Sequence, residues 1–377
     1  MKIGLFIGRF SPVHVGHIST INKMLAENDK VIIAIGSHEA AFSPNKMLSS
    51  SETIDIFRAT FPCTAPSKNV LHSGLNPNIT FILLHDNLYN DLSWATNVRL
   101  QVQQTIRNHF CPPPEKFNVT LYGYSKDFTS KYLNWFPYYA LKESEPYYIN
   151  NVMLNATDIR QHIFEIISKD EKSLTGACRT SLENCLLNYM QSGSVQVLLD
   201  IIDKNYERFI DLKMENESYK KYKEAWSTAP YPPVFVTGDA VVFCNGYVLT
   251  IKRKFYPGKS LYALPGGFIN QNETVKECII RELKEETSIN IPPGKLNNSV
   301  KHIEIFDAPN RSLRGRTITN AGVIILYDET TLPKVRALDD AESVFWMPIE
   351  LLPSYRSKFF EDHYHIIQNL LKHYQEV

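Results

Sequence analysis

Two short stretches of this chain carry side chains whose types and spacing could do phosphate chemistry. In GRFSPVHVGH, residues 8–17, two imidazoles stand three apart around Gly16. Ring N–H groups at His14 and His17 can donate hydrogen bonds to phosphoryl oxygens, and Gly16 removes a side chain where backbone and ligand must approach closely. In GFINQNETVKECIIRELKEETSI, residues 267–289, Glu282, Glu285 and Glu286 fall at helical offsets of three and four, so three carboxylates converge on one face. Such a face repels itself unless neutralised. Clustered hard oxygens are ligands for Mg²⁺, with Mn²⁺ as the alternative, and such an ion can bridge a diphosphate and activate water. Arg281 can pair with Glu273 and hold the preceding loop against this helix.

Each stretch also has a plainer explanation. Two histidines at a helix start are often structural, and ELKEE alone is an ordinary solvated face. Context decides against both, because the first follows a strand and opens a helix, and the second has Gly267, Glu273 and Arg281 at fixed offsets.

The elements that must position these residues follow from periodicity. Lys2 to Ile7 reads as a strand, followed by a Gly-containing turn and a helix from His17 to about Asn28. Backbone N–H groups and a helix N-terminus there can receive phosphate charge. VIIAIGS reads as a buried parallel strand; Thr80 to Leu84 and Phe117 to Tyr122 are further strands, separated by a helical segment from Leu92 to about His109. This alternation predicts a doubly wound parallel α/β sheet of Rossmann-like type. From about Ile163 to Trp226 the chain reads as mostly helical, ending in the polar KMENESYKKYKEAW before Pro230, Pro232 and Pro233. From Val234 the short strands VFVTGDAVVF, YVLTIKRK, AGVIILYD and SVFWMPI surround one strongly patterned helix, which predicts an α+β sandwich. The expected organisation is a first domain over residues 1–165, a helical extension and connector over 166–227, and a second domain over 228–377. The stretch from about Phe61 to Asn78, rich in Pro, Ser and Asn, reads as an inserted surface loop.

Length and composition are consistent with this. The 377 residues exceed the roughly 250–300 beyond which a single core usually splits. Apolar residues make up 44% and charged ones 21%, the balance of a globular chain. Forty basic and forty acidic residues cancel, so bulk charge favours neither a nucleic-acid backbone nor an anionic membrane as partner. No window approaches the ~20 apolar residues of a membrane span, and MKIGLFIGRF is no signal peptide, so a cytoplasmic location is expected. The six cysteines show no CxxC or zinc-type spacing and read as reduced thiols.

With these motifs in place, roughly residues 1–165 resemble the HxGH nucleotidyltransferases, and within them the archaeal-like nicotinamide mononucleotide adenylyltransferases. GSHEAAFSPNK, DNLYNDLSWATNV, GYSKDFTSKYLNWFP and LNATDIRQHIF carry the resemblance beside the HxGH loop, the last being similar to the family's (I)SxTxxR signature. The resemblance implies catalytic roles for His14, His17 and Arg160. It implies an ATP site of Gly8, Arg9, Phe10, His14, Gly16, His17, Thr157 and Arg160, in which the Arg160 fork steadies the pyrophosphate leaving group. It further implies that nicotinamide mononucleotide meets Arg9, Asp86 and Trp94, with Asp86 on the carboxamide and Trp94 stacked on the ring; core packing is the plainer role for Trp94. Two departures stand out. Asn155 replaces the family's Ser, and Thr53 stands near where relatives often carry Arg, with Lys46 available as a substitute cation.

The second stretch matches the Nudix box GX5EX7REUXEEXGU at each defined position but one, Ser288 replacing the final Gly. That Gly normally sits where the chain turns in a conformation that costs little only without Cβ. YPPVFVTGDAVV, LYALPGGF, IFDAPNRSLRGRTITNA, KVRALDDAESVFWMPI and KFFEDHYHII extend the likeness over 228–377, to the Nudix domain of bifunctional nicotinamide mononucleotide adenylyltransferase/ADP-ribose pyrophosphatases. This resemblance implies a catalytic metal on Glu282, Glu285 and Glu286, and contacts to ADP-ribose from Gly267, Arg311, Arg314 and Arg316. The general base is left open among Glu286, Asp340 and Glu342. The small-molecule substrates implied are ATP, nicotinamide mononucleotide and ADP-ribose, and the state implied is a homo-oligomer. Two alternatives stay open: an adenylyltransferase with a different mononucleotide acceptor, or one joined to a non-catalytic Nudix module that senses ADP-ribose.

Overall fold

The structure is a computed structural model describing residues 1–63, 75–110, 116–125, 128–327 and 331–375. Residues 64–74 of the expected surface loop, and Cys111, lie outside the described residues. The chain divides into two compact units, Met1–Lys213 and Met214–Val377.

The first unit begins with β1 (Lys2–Gly8), α1 (Val15–Glu27), β2 (Lys30–Ile35), α2 (Ser50–Thr60), β3 (Ile79–Leu83), α3 (Asp91–His109), β4 (Asn118–Gly123) and β5 (Ala140–Glu143). The five strands form one sheet in the order β3-β2-β1-β4-β5, every pairing parallel. Both faces of such a sheet are covered, and Val31 to Ile35 are accordingly all buried. Helix α1 presents Ile18, Ile21 and Met24 to one face, three residues apart, while α3 buries Ala95, Val98, Val102 and Ile106 against the other. Because β1 lies at the centre and the chain crosses from one side of it to the other between β3 and β4, a crevice opens at the carboxyl ends of β1 and β4.

A short hairpin, β6 (Tyr148–Ile149) with β7 (Val152–Met153), leads into α4 (Ala156–Ile166), α5 (Gly176–Leu186), α6 (Ser192–Lys204) and α7 (Tyr206–Ala225). Leu182, Leu186, Val195, Leu198, Leu199, Ile202, Phe209 and Leu212 are buried in the same core as α1, α2 and α4. Residues 166–213 are therefore built into the first unit, and the division falls inside α7.

The second unit contains β8 (Val234–Cys244), β9 (Tyr247–Arg253), β10 (Tyr262–Ala263), β11 (Gly266–Phe268), α8 (Val275–Thr287), α9 (Pro293–Ser299), β12 (Val300–Phe306), β13 (Arg316–Ile325), β14 (Ala341–Pro348), α10 (His363–Leu370) and α11 (Lys372–Gln375). Its mixed sheet runs β10-β9-β8-β13-β12, with β11 paired to β8 and β14 to β9; β8 and β13 are parallel over ten residue pairs. Helix α8 starts at a capping box, Thr274 with Glu277, and buries Cys278, Ile279 and Leu283 on the sheet. It ends at Ser288, whose φ of 43° is the left-handed conformation expected where the motif normally has Gly.

Candidate active sites

The loop after β1 delivers both histidines to the crevice. His14 caps α1, and His17 stands one turn later, so the two rings stack with centroids 3.7 Å apart. The backbone N–H of His14 donates to His17 Nδ1 at 3.3 Å, which leaves the ring proton of His17 on Nε2 as its donor. Burial holds His14 down to about 4 and His17 well below its usual range, so both are neutral N–H donors at pH 7. The ring of Phe10, 2% exposed, braces His17 edge-to-face at 5.0 Å. A side chain at Gly16 would press on Tyr147 and His14, at 3.1 and 3.2 Å, which accounts for the glycine. Around these groups lies a cleft of about 310 Å³, lined by Gly8, Phe10, His14, Gly16, His17, Tyr132, Tyr147 and Asn155 among others.

Arg160 reaches this loop across 149 residues. Its guanidinium donates to Ser11 O at 2.8 Å, Thr157 Oγ1 at 3.0 Å and Asn45 Oδ1 at 3.3 Å. All three acceptors are neutral, and among the described residues no carboxylate pairs with it. Among the described residues only the charge of Asp158, which is not bonded to it, opposes its burial, and a buried cation whose hydrogen-bond acceptors are all neutral is a place for an anion. Burial and the neighbouring charge of the exposed Arg9 lower it to about 10, still fully charged at neutral pH. Asn155 caps α4 by accepting from Asp158 N–H, and its amide donates to the Asp158 carboxylate. That amide is spent within the helix cap, and Thr157 sits exposed one turn from Arg160.

At the neighbouring strand ends, Asp86 follows β3 and lies within electrostatic reach of Lys46. The buried Lys46 ammonium donates to Ala40 O at 2.6 Å and is held down to about 8 by its burial. Thr53 is buried and donates to Ser49 O, inside α2. Trp94 is half-buried edge-to-face against Tyr132, Trp135 and Phe136, at 6.0, 5.7 and 6.2 Å. It combines the packing role with a place beside Tyr132, a wall of the histidine cleft.

In the second unit α8 places the acidic residues beside β11. Arg281 holds Glu273 bidentately, at 2.8 and 2.6 Å, and donates to Phe268 O at 3.1 Å, which pins the loop to the helix as its spacing suggested. Its Nη1 also touches Glu282 at 2.6 Å and Glu285 at 2.8 Å. Glu286 accepts from Gly266 N–H at 2.9 Å; burial, then the charges of Glu282 and Asp340, raise it to about 8. Asp239 on β8 is pushed up to about 6 by burial, against the opposing charge of Arg311 and the hydrogen bond from the Thr319 hydroxyl. The Glu282 carboxylate lies so close to Gly267 that any side chain there would collide with it. Glu282 and Glu285 are thus both held on Arg281, while Glu286 is affected by the charges of Glu282 and Asp340, and Glu282 by that of Asp239; burial destabilises Asp239, Glu282 and Glu286 as anions. That donor set fits a hard divalent cation.

The three expected ADP-ribose arginines take different places. Arg311 is buried in a bidentate pair with Asp362, at 2.8 and 2.7 Å, with side-chain exposures of 2% and 0%, and its charge also acts on Asp239. Arg316 pairs at the surface with Asp307. Arg314 lies over the Phe268 ring at 5.4 Å, next to Gly267, with Glu361 3.5 Å away. Of the base candidates, Glu342 pairs with Lys252 at 3.1 Å, whereas Asp340 is the exposed acid acting on Glu286. Other buried groups of this unit had been singled out by no motif. Glu215 and Tyr219 of α7 are buried, and Glu215 accepts the Gly258 N–H at 2.9 Å.

An HxGH loop on a parallel sheet, and a carboxylate-bearing helix docked on a mixed sheet, define a two-domain nucleotide enzyme: a nucleotidyltransferase followed by a Nudix domain. Family models agree, Cytidylyltransferase-like matching residues 5–103 and NUDIX domain residues 235–370. The ADP-ribose pyrophosphatase of Methanocaldococcus jannaschii is 31% identical over 174 residues, 46% of this chain and 89% of that protein. The nicotinamide/nicotinic acid mononucleotide adenylyltransferase of Acinetobacter baylyi is 29% identical over 161 residues, 43% of this chain and 74% of its own length. A crystal structure of a bifunctional NMN adenylyltransferase/ADP ribose pyrophosphatase from Francisella tularensis, complexed with AMP and a Mn ion, is similar over 99% of both chains, with a TM-score of 0.81 and 30% identity. The chain belongs to the family of bifunctional NMN adenylyltransferase/ADP-ribose pyrophosphatases.

Proposed function

We propose that the first domain transfers the adenylyl group of ATP to nicotinamide mononucleotide, giving NAD and pyrophosphate, and that the second hydrolyses ADP-ribose to AMP and ribose 5-phosphate with Mg²⁺. The observation that carries the reading is that one chain holds both a cleft lined by the neutral His14 and His17, with the buried Arg160 bonded to Ser11 O of the same loop, and a helix whose Glu282 and Glu286 are pushed up by burial among other carboxylates. In the transfer, the mononucleotide phosphate attacks the α-phosphate of ATP in line. His14 and His17 donate to phosphoryl oxygens without themselves changing charge, and Arg160 stabilises the departing pyrophosphate. The preformed loop fixes these donors before substrate arrives, through the stacked imidazoles and the bond to Ser11 O.

In the hydrolysis, Glu282, Glu285 and Glu286 would hold the cation, which when bound supplies neutralisation of the diphosphate and a water of lowered pKa. Gly267 admits the Glu282 carboxylate, Arg281 positions the loop, and Arg314 offers its charge beside Phe268. Asp340, next to Glu286, is the base candidate that its surroundings favour over Glu342. We also place the protein in the cytoplasm as a homo-oligomer. The compartment is supported by free thiols at Cys63, Cys178, Cys185, Cys244 and Cys278 and by the lack, among the described residues, of a helix long and apolar enough to cross a membrane. The oligomer rests on family likeness alone.

The test is one assay of the full chain with ATP and nicotinamide mononucleotide and, separately, with ADP-ribose, each with and without Mg²⁺. Glu285→Gln should abolish AMP release from ADP-ribose and leave NAD formation at the wild-type rate. Hydrolysis that survives both Glu285→Gln and removal of Mg²⁺ would refute the assignment.

A further inference from the structure

A second group of ligating side chains lies on the edge strand of the second unit and shares no residue with the acidic cluster. His302 and Glu304 are two apart on β12, so their side chains leave the same face, and His373 comes from α11. His302 Nε2 lies 3.5 Å, and His373 Nε2 3.8 Å, from the same Glu304 oxygen, and the three ligand atoms all fall within 4.8 Å of one another. The two imidazole rings face each other with centroids 4.3 Å apart. These nitrogen–oxygen separations exceed the roughly 2.7–3.2 Å of a hydrogen bond. They approach the ~3.3 Å between ligands at about 2.0–2.1 Å around one tetrahedral ion.

His373 Nε2 is moreover buried with no hydrogen-bond partner, which folded proteins normally avoid. It looks onto the Glu304 carboxylate. The side chains of His302, Glu304 and His373 are 41%, 32% and 24% exposed, so an ion can enter from solvent. Among the described residues, the cation on Glu304 Oε2 besides the imidazoles is Lys372 Nζ, at 3.3 Å. Another His–Glu–His group, His38, Glu39 and His85, is less suited, because His85 Nδ1, the nitrogen facing Glu39, already meets His38 O at 3.2 Å.

We propose that His302, Glu304 and His373 bind a late first-row divalent cation of the Zn²⁺ class, leaving a fourth position to water and tying α11 to the sheet edge at β12. Two imidazoles and one carboxylate select such an ion over Mg²⁺, whereas the all-oxygen cluster on α8 does the reverse. Helix α11 thereby gains a cross-link to β12, which ends the sheet order among the described residues.

The test uses the full chain stripped with EDTA and dialysed against Zn²⁺ in the presence of a large excess of Mg²⁺, which fills the acidic site. Metal analysis should find one equivalent of zinc more in wild type than in His302→Ala or His373→Ala. Co²⁺ in place of Zn²⁺ should give the visible bands of a four-coordinate ion in wild type and lose them in both variants. Zn²⁺ should raise the Tm of wild type and not of the variants. Lys372→Ala, which removes the competing cation, should bind zinc at least as tightly as wild type. Glu304→Gln, which keeps the side-chain volume, stands in should a histidine variant melt early without metal. Equal zinc content in wild type and variants, or weaker binding in Lys372→Ala, overturns the proposal.

Discussion

Replacing Gly267 by alanine is expected to stop ADP-ribose hydrolysis while leaving the fold and the adenylyl transfer in place. A Cβ at this position would stand 2.5 Å from Glu282 Cδ and 2.7 Å from Oε2. Ordinary carbon contacts begin at about 3.5 Å, so the carboxylate must retreat by roughly 1 Å. It is the far end of a flexible side chain, and an off-rotamer adjustment costs about 0.5–1.5 kcal/mol, small beside a domain stability of about 5–15 kcal/mol. Its position for chemistry is less forgiving. A misplacement of ~1 Å can lower a rate by about 10²-fold, equivalent to ~2.7 kcal/mol in the transition state. The assay is the initial rate of Mg²⁺-dependent AMP release from ADP-ribose, with NAD formation by the same preparation as internal control and a thermal melt for the fold. A kcat/KM for ADP-ribose within about threefold of wild type, with an unchanged melt, would refute the steric argument. Gly266→Ala is the contrast. Its Cβ would meet Gly238 O, a backbone atom that cannot swing aside, at 2.7 Å, and the Asp239 carboxylate closer still. This variant should lose stability as well as hydrolysis.

Further consequences follow from the other buried groups. Arg160→Lys replaces a planar fork serving three neutral oxygens by a point charge, and NAD formation should fall by about 10²–10³-fold with hydrolysis unchanged; a fall of less than tenfold would remove Arg160 from the phosphate site. Arg311→Ala leaves Asp362 charged and fully buried, which should cost about 3–5 kcal/mol in denaturant unfolding of the second unit; an unchanged midpoint would contradict the pairing. His14, held near 4 against 6.5 for a free imidazole, gives a pH signature. Between those values the unfolded chain binds the proton and the folded one does not, so stability is complete above about pH 6.5 and declines as pH falls towards 4. At pH 4.5 the decline from this one group should reach about 2–3 kcal/mol, and urea melts of wild type and His14→Gln should differ by that amount; parallel pH profiles would show that His14 is not buried neutral.

The motifs could be read in the sequence because their geometry is local. A helix brings residues three and four apart onto one face whatever surrounds it, so the shared face of Glu282, Glu285 and Glu286, and the place of His17 one turn beyond His14, follow from spacing alone. The same holds for the left-handed turn at Ser288 and for the alternation that specifies a parallel sheet. The Arg281–Glu273 pair lies eight residues apart across one loop, still within reach of such reasoning.

Tertiary structure alone decided the rest. Arg160 meets Ser11 across 149 residues, Asp239 on β8 brings its charge to Glu282 on α8, and Arg311 pairs with Asp362, 51 residues away. A guanidinium in a sequence carries no mark of whether it will face a substrate or a buried carboxylate; the sheet register and the burial of its partner settle that. The polar end of α7 read as a connector, yet Glu215 and Tyr219 are buried there, because a carboxylate can be buried once a backbone N–H, here that of Gly258, is placed to receive it. Periodicity records which face of an element is apolar, whereas the identity of a distant partner depends on how the elements close on one another.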